Sequence, residues 1–484
     1  MNLRRRSRGK RFLVGLGVFV IVAVGAFFGI QFFTKTGIFR IPGVVYYDES
    51  LSPEQLEILQ SIFTEEIDLD EDVYISTENS LTRPELGEGE YLYRIDVPVA
   101  DFYDARSDRN EFDDVEVISV DDLDFTKKLL SIDGDYYLDT FDKGAYYQTI
   151  KFSSEKFAEE IEPLVGEVFA KTWPEKSSVL TMAQTGVTAL SRGMNKKLQS
   201  VGGDATYFAE KIKDYLAGFD ITHTSNESSF TDFATSENIC SDVRFIDTLT
   251  AIGLDVVELT GNHNQDCGNQ AALDTIDVYE QNNIRIVGGG RNADAAAVPL
   301  EIEDKNNSIT FLAYNLSTGG ATYGNTPGAN QYYEDNAVSE INAAKERGDI
   351  VIVDIQYYEC SAYASEYEDP TCDYADSAAG DQVGFFRHLI DLGADIVVGT
   401  SAHQPQTFEL YGDGEIYYGL GNLFFDQVWW PGTTRSLVLE HYFYNGKILQ
   451  TRITPTVYDA NMQTELLDKE TAEWFIERLA KVRP

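Results

Sequence analysis

Asp255-Val-Val-Glu-Leu-Thr-Gly-Asn-His-Asn-Gln-Asp-Cys-Gly268 is the stretch on which the reading of the chain turns. Asp255 to Thr260 has the composition of a short buried strand, and it empties at once into a tight Gly261-Asn262-His263-Asn264 loop. A helix is predicted before it over Val243 to Ile252, a second after it over Gln270 to Gln281, and then a strand over Ile284 to Val287. The same rhythm extends outward. Upstream lie a strand over Val179 to Met182 and a helix over Ala205 to Leu216; downstream lie strands over Ile309 to Tyr314, Ile350 to Gln356 and Asp395 to Gly399, with a helix over Gln382 to Leu392. Strands that alternate with helices imply βαβ units and a largely parallel sheet covered on both faces. The tail changes character. Thr407 to Tyr411, Glu415 to Tyr418 and Leu437 to Tyr444 read as antiparallel strands, and Asn445-Gly446 as a type I′ turn into Lys447 to Thr454. A last helix over Lys469 to Val482 closes the chain.

Ligands of open α/β sheets sit beyond the carboxyl ends of the strands, so the residues just past each strand carry the chemistry. Of the five histidines, His223, His263 and His403 are expected in such loops, whereas His388 falls in a helix and His441 in a strand and both read as structural. Imidazole, amide oxygen and carboxylate together make a donor set for zinc, manganese or iron. In Gly261-Asn262-His263 an Asn carbonyl can face a metal while the adjacent His passes a proton to a leaving oxygen; a hydrogen-bonded turn explains the same residues structurally.

Residues 44–175 form an expected first α/β unit, with strands over Val44 to Tyr47, Tyr91 to Val99 and Val115 to Val120 and a helix over Pro53 to Phe63. This stretch has no His, no Cys and no glycine-rich phosphate loop, so it offers no nameable chemistry. Ahead of it, Arg4, Arg5, Arg6, Arg8, Lys10 and Arg11 precede an apolar run from Phe12 to Phe33. Such a run spans a bilayer at about 1.5 Å per residue, with the basic segment 1–11 cytoplasmic and the body outside. Net charge is -42, from 38 Lys and Arg against 80 Asp and Glu. So acidic a body repels nucleic acid and anionic lipid, which argues against both as partners, and solubility in a salty medium explains the same charge. Cys240, Cys267, Cys360 and Cys372 suit two disulfides outside the cytoplasm, Cys360 to Cys372 being the easiest local pairing and Cys240 to Cys267 its complement.

From about Ser178 to Thr456 the chain resembles the bacterial capsule-synthesis family CapA, the poly-γ-glutamate biosynthesis proteins. The resemblance is carried by Asp255 to Gly268 with Val287-Gly-Gly-Gly-Arg-Asn292, and by Gly393-Ala-Asp-Ile-Val-Val-Gly399 through Tyr418-Gly-Leu-Gly-Asn422-Leu-Phe-Phe-Asp426-Gln427. It implies a calcineurin-like metallophosphoesterase sandwich over 178–458, followed by a helical tail over 459–484. By the family's motifs Glu227, Asn262 and His403 would hold metal and His263 would be the acid. The family's first aspartate falls on Val187, the His of its His-Trp-Gly motif on Gln356, and two further His positions on Thr400 and Ser401. His223, Asp266 and Glu359 are the candidate replacements. Two expectations follow. One is a membrane-anchored, extracellular hydrolase or transferase of capsule or poly-γ-glutamate synthesis, with a divalent Mn, Zn or Fe; the other is a non-catalytic scaffold that binds an envelope polymer or the membrane-bound synthesis machinery.

Overall fold

The computed structural model describes residues 44–64, 69, 71–169, 171–317, 319–357 and 381–484. The expected anchor over 12–33, the basic segment before it, Glu359 and the Cys360–Cys372 pairing lie outside the described residues. Among the described residues no helix is long and apolar enough to cross a membrane. The chain divides into two compact units. The first holds the described residues up to Glu78 with Glu85–Tyr93 and Thr149–Lys171; the second holds Asn79–Pro84, Arg94–Gln148 and Thr172–Pro484.

In the first unit, helix Pro53–Ile62 opens on a capping box in which Ser52 and Gln55 satisfy each other's backbone N–H groups. Leu59 from this helix meets Val73, Ile75, Ile150, Phe152 and Phe169 in a small core. Val45–Tyr47 pairs in parallel with Val73 to Ile75. Arg94–Gln148, which the sequence reading grouped with residues 44–175, belongs to the second unit. Its Phe102 and Tyr103 rings pack 5.7 and 6.0 Å from Phe408.

Two large sheets dominate the second unit. In one, Arg285–Val287, Val256–Glu258, Ile221–Asn226 and Leu180–Thr188 run in parallel, and Arg435–Tyr444, Lys447–Tyr458 and Thr464–Leu466 extend it antiparallel. In the other, Asn307–Asn315, Ile350–Gln356, Ile396–Gly399 and Gly414–Tyr417 are parallel, with antiparallel edges at Leu300–Asp304 and Phe408–Tyr411. Period-two alternation gives each strand two apolar faces. Met182, Ile221 and Val256 meet Phe311, Ile352 and Ile396 between the sheets. Outward-facing Val257 and Val438 pack on Phe208, Leu249 and Ile276, and outward-facing Val351 and Val397 pack on Ile341, Phe386 and Leu389. Each fully buried aliphatic side chain contributes about 1.5–3 kcal/mol. This mixed α/β arrangement of several sheets fits the metallophosphoesterase-like sandwich that the resemblance implies.

The tail departs from expectation. Phe408–Tyr411 and Gly414–Tyr417 pair with each other in one sheet, whereas Arg435–Tyr444 pairs with Lys447–Tyr458 in the other, so the hairpins finish two sheets and not one antiparallel layer. The Asn445-Gly446 turn is present, with φ of 50° and 73°. The helix expected over 205–216 is broken into a 3-10 turn at Ala205–Ala209 and a short helix at Lys213–Leu216. Cys240 and Cys267 are joined, their Cα atoms 6.1 Å apart.

Candidate functional site

The inner faces of the strands turn from apolar to polar toward their carboxyl ends. Met182 is followed inward by Gln184, Ile221 by His223, Val256 by Glu258 and Ile352 by Asp354, all buried. His223 therefore sits inside its strand and not in a loop: its Nε2 lies 3.0 Å from Asp354, and its ring stacks 5.7 Å from Phe311. The Gln184 side-chain amide donates to Asp354 at 2.7 Å, and its oxygen lies 3.2 Å from His441 Nε2. Burial, with a smaller push from Asp354, raises Glu258 to about 7. Burial also drives His441 down to about 3, which keeps it neutral. These groups form the floor beneath the site, where His223 Nδ1 and Glu258 Oε2 make no hydrogen bond among the described residues.

Above the floor, each strand end delivers one sequence-predicted residue. Glu227 follows Ile221–Asn226, fully buried, its N–H donating to Thr188 O at 3.0 Å. Gly261 packs flat against it: a Cβ there would lie 2.7 Å from the Glu227 Cα. Residue 261 must therefore be glycine for Asn262 to reach its place. His403 is buried, with Nε2 at 3.7 Å from Glu227 and Nδ1 at 2.8 Å from Asn422 Oδ1. The Asn422 amide nitrogen donates to Gln427 Oε1 at 3.2 Å and to the Thr433 carbonyl at 3.1 Å. Its oxygen is thereby the acceptor facing His403. The His403 proton is held on Nδ1 and Nε2 is directed at Glu227.

Gln356 occupies the middle. Its amide nitrogen donates to Asn262 Oδ1 at 3.2 Å and to Ser401 Oγ at 3.1 Å, and its oxygen accepts from Thr400 at 3.5 Å. Asn262 is thus drawn to Gln356, while Glu227 and His403 adjoin each other. His263, half-buried, turns Nδ1 to Asp266 at 2.8 Å, so Asp266 serves as its orienting partner. Arg192 sits at φ 49°, a strained left-handed value, and is fixed by a 2.6 Å pair with Asp426 and by lying 4.5 Å from the Phe425 ring centroid. Among the described residues no group of three or more His, Cys, Asp or Glu is placed to hold a metal ion.

Sequence reasoning passed over Glu258 and Asp354. Their signal was a carboxylate set inside an otherwise β-branched run, as in Ile350-Val-Ile-Val-Asp354-Ile-Gln356. It also named Asn422 only as part of a motif, although that side chain fixes the His403 tautomer.

Comparison with known proteins bears on the same region. The profile of the family described as "Bacterial capsule synthesis protein PGA_cap" matches residues 181–427. The PGA biosynthesis protein CapA of Bacillus subtilis is 27% identical over 276 residues, covering 55% of this chain and 69% of that protein. The capsule biosynthesis protein CapA of Bacillus anthracis is 22% identical over 352 residues, covering 67% and 82%. A probable polyglutamine synthesis accessory protein of Mycobacterium tuberculosis is 29% identical over 191 residues, covering 37% and 47%. With a family match that spans half its length and takes in Glu227, Asn262, His263 and His403, this chain belongs to the bacterial capsule synthesis protein family.

Proposed function

We propose that the protein is a membrane-anchored, extracellular scaffold of capsule or poly-γ-glutamate synthesis. In this reading its cleft binds the polymer or the synthesis machinery and does not hydrolyse. The observation that carries it is the Gln356 amide, which holds Asn262 and Ser401 together at 3.2 and 3.1 Å. A pair of divalent ions is gripped by bridging and terminal ligands on both sides, with the ions about 3.5–4 Å apart. Here Val187, Gln356, Thr400 and Ser401 stand at four of the family's ligand positions, and Asn262's oxygen already accepts from Gln356. That donor set does not fit two metals. The apolar run over 12–33 behind a basic segment supports this location, as does the Cys240–Cys267 bond, since such bonds persist in oxidising compartments.

A second reading is favoured by the adjacency of Glu227 and His403. Those two, with Asn262, would hold a single Mn, Zn or Fe, which supplies a Lewis acid when bound. His263 has its Nδ1 on Asp266, and its Nε2 would carry a proton to a leaving oxygen.

Elemental analysis of the full-length chain, purified without chelator and reconstituted with each metal, separates the two. The scaffold reading expects no stoichiometric metal, with binding of capsule polymer or of the synthesis complex unchanged by chelator. One equivalent of metal, lost in His403→Ala and Glu227→Gln, would overturn it in favour of the single-ion enzyme.

A further inference from the structure

A cavity of about 260 Å³ lies at the other end of the sheet that holds Leu180–Thr188 and Ile221–Asn226, against Thr181 and Asp220 where these parallel strands begin, not where they end at Glu227. Its walls come from six separate stretches of the chain, including Leu138 to Phe141, Tyr215 to Asp220 and Lys305. None of these residues belongs to the site described above. The volume falls near the lower end of the roughly 300–1,000 Å³ of ordinary small-ligand sites, which suits one compact ring and not an extended chain.

The charges of the wall cancel. Three carboxylates, Asp139, Asp220 and Glu440, face three cations, Lys176, Lys305 and Arg452. Lys305 places its ammonium 2.7 Å from both oxygens of Asp220 and 3.0 Å from the Val179 carbonyl. Arg452 donates to both oxygens of Asp139 at 3.0 Å, to Glu440 from Nε at 2.9 Å and to the Tyr442 hydroxyl at 2.8 Å. Tyr442 in turn donates to Asp139 at 2.7 Å, and Tyr215 to Glu440 at 2.5 Å. Both inner guanidinium and ammonium groups are thus neutralised where they stand, which leaves no buried charge seeking a counter-ion. Only Lys176, exposed at the rim, stands apart from these pairs. In a chain of net charge -42, a balanced wall is itself an exception.

Against this fixed lattice of donors and acceptors stand apolar faces from Leu138, Phe141 and Phe219. A ligand matched to both is an uncharged ring with one apolar face and a rim of hydroxyls. An amino-acid zwitterion would need free opposite charges, and a polyanion a net positive wall; the cavity presents neither. Aromatic rings pack on apolar faces of such rings, while Asp139 Oδ2 and Asp220 Oδ1, which each accept one bond from the wall and keep a second lone pair, and the Lys176 ammonium serve the hydroxyls. We propose that this cavity binds a single uncharged pyranose-type sugar residue. The inference is independent of whether the cleft at Glu227 and His403 binds metal.

The test uses the full-length chain in a detergent without a sugar headgroup. Saturation-transfer NMR and calorimetry are run with methyl glycosides of glucose, galactose, mannose and N-acetylglucosamine, with methyl glucuronide and N-acetylglutamate as charged controls. At least one neutral glycoside should saturate, with a Kd of about 1 mM or below. Phe219→Ala and Asp139→Asn, each checked by thermal melting, should weaken it roughly tenfold. A free reducing sugar compared with its methyl glycoside distinguishes the source: preference for the glycoside assigns the site to a chain-linked residue, and preference for the free sugar to a soluble one. No saturation by any neutral glycoside, binding of the charged controls alone, or wild-type affinity in the folded variants would each overturn the proposal.

Discussion

Glu258 shows how much of the site's behaviour is decided below its surface. The carboxyl is held from its own strand end by the Thr260 N–H and hydroxyl, while burial and Asp354 raise it from 4.5 to about 7. Its linkage has a definite sign. Between about pH 4.5 and 7 the folded state keeps a proton that the unfolded chain gives up, so unfolding releases it and stability falls as pH rises. Below that window both states are protonated, and above it neither is. At about 1.4 kcal/mol per unit the full effect is on the order of 3 kcal/mol. Glu415 is raised to about 7 by burial as well, but it is present in both proteins of a wild-type and Glu258→Gln pair. The difference in their urea-unfolding free energies should therefore tilt against wild type from pH 4.5 to 7 and stay flat above; a pH-independent difference would contradict the buried, proton-holding state. Residues of this kind are hard to see in a sequence. Asn262, His263 and His403 announce themselves as polar groups in loops, whereas Glu258 and Asp354 are masked by the apolar strands that bury them. His223 misled for the same reason: the strand holding it runs on to Asn226, because Asp354 and neighbouring hydroxyls replace the apolar packing that would otherwise mark its extent.

Two glycines between strands are required for different reasons. Gly421, at φ 74°, hands its carbonyl to the Val187 N–H at 2.8 Å and sets the register of Asn422 beside His403. A Cβ there would come 2.4 Å from the Arg435 carbonyl oxygen. Gly446, at φ 73° in the hairpin turn, has nothing within 4 Å of its added Cβ. Gly446→Ala should cost about 1 kcal/mol from backbone conformation alone. Gly421→Ala adds a backbone clash and should cost about 2–4 kcal/mol while disturbing the His403 environment. Denaturant midpoints of the two variants check this; equal losses would remove the close-approach argument. At this scale the sequence was readable wherever the apolar period was broad, as at Ile350–Gln356, which matches its predicted bounds. Helix Glu334–Arg347 went unseen because it buries only Ala337, Ile341 and Ala344, a narrow stripe that leaves little periodic signal. The break at 209–213 was equally hidden, since helical and 3-10 turns bury Phe208, Ile212 and Leu216 alike.

For the molecule as a whole, charge is the property that the amino-acid composition discloses most directly. Eighty acidic residues against 38 basic ones put the folded chain under steady self-repulsion. Added salt shortens the screening length from about 30 Å at 0.01 M to about 8 Å at 0.15 M, so the melting temperature should rise by a few degrees over that range in scanning calorimetry. A falling melting temperature would mean that ion pairs such as Arg387–Glu409, at 2.7 Å, outweigh the net repulsion. The α/β class and the succession of strands along the chain were available from periodicity, and the family from its motifs, but the division of the parallel strands between two sheets was not. The allotment of Arg94–Gln148 to the larger unit was not, because it depends on distant partners such as Phe102 with Phe408.

The bond between Cys240 and Cys267 bears on when the protein becomes competent. Cys267 stands at the N-cap of helix Gly268–Gln281, one residue past Asp266, the partner of His263. The segment carrying Asn262 and His263 is therefore tethered at its far end by a link that thiol-reducing surroundings do not sustain. Strand packing and the buried core need no oxidant, and the tether does. Loss of the Cys240–Cys267 bond would release that tether one residue beyond Asp266, so its reduction should be felt first in the positioning of His263.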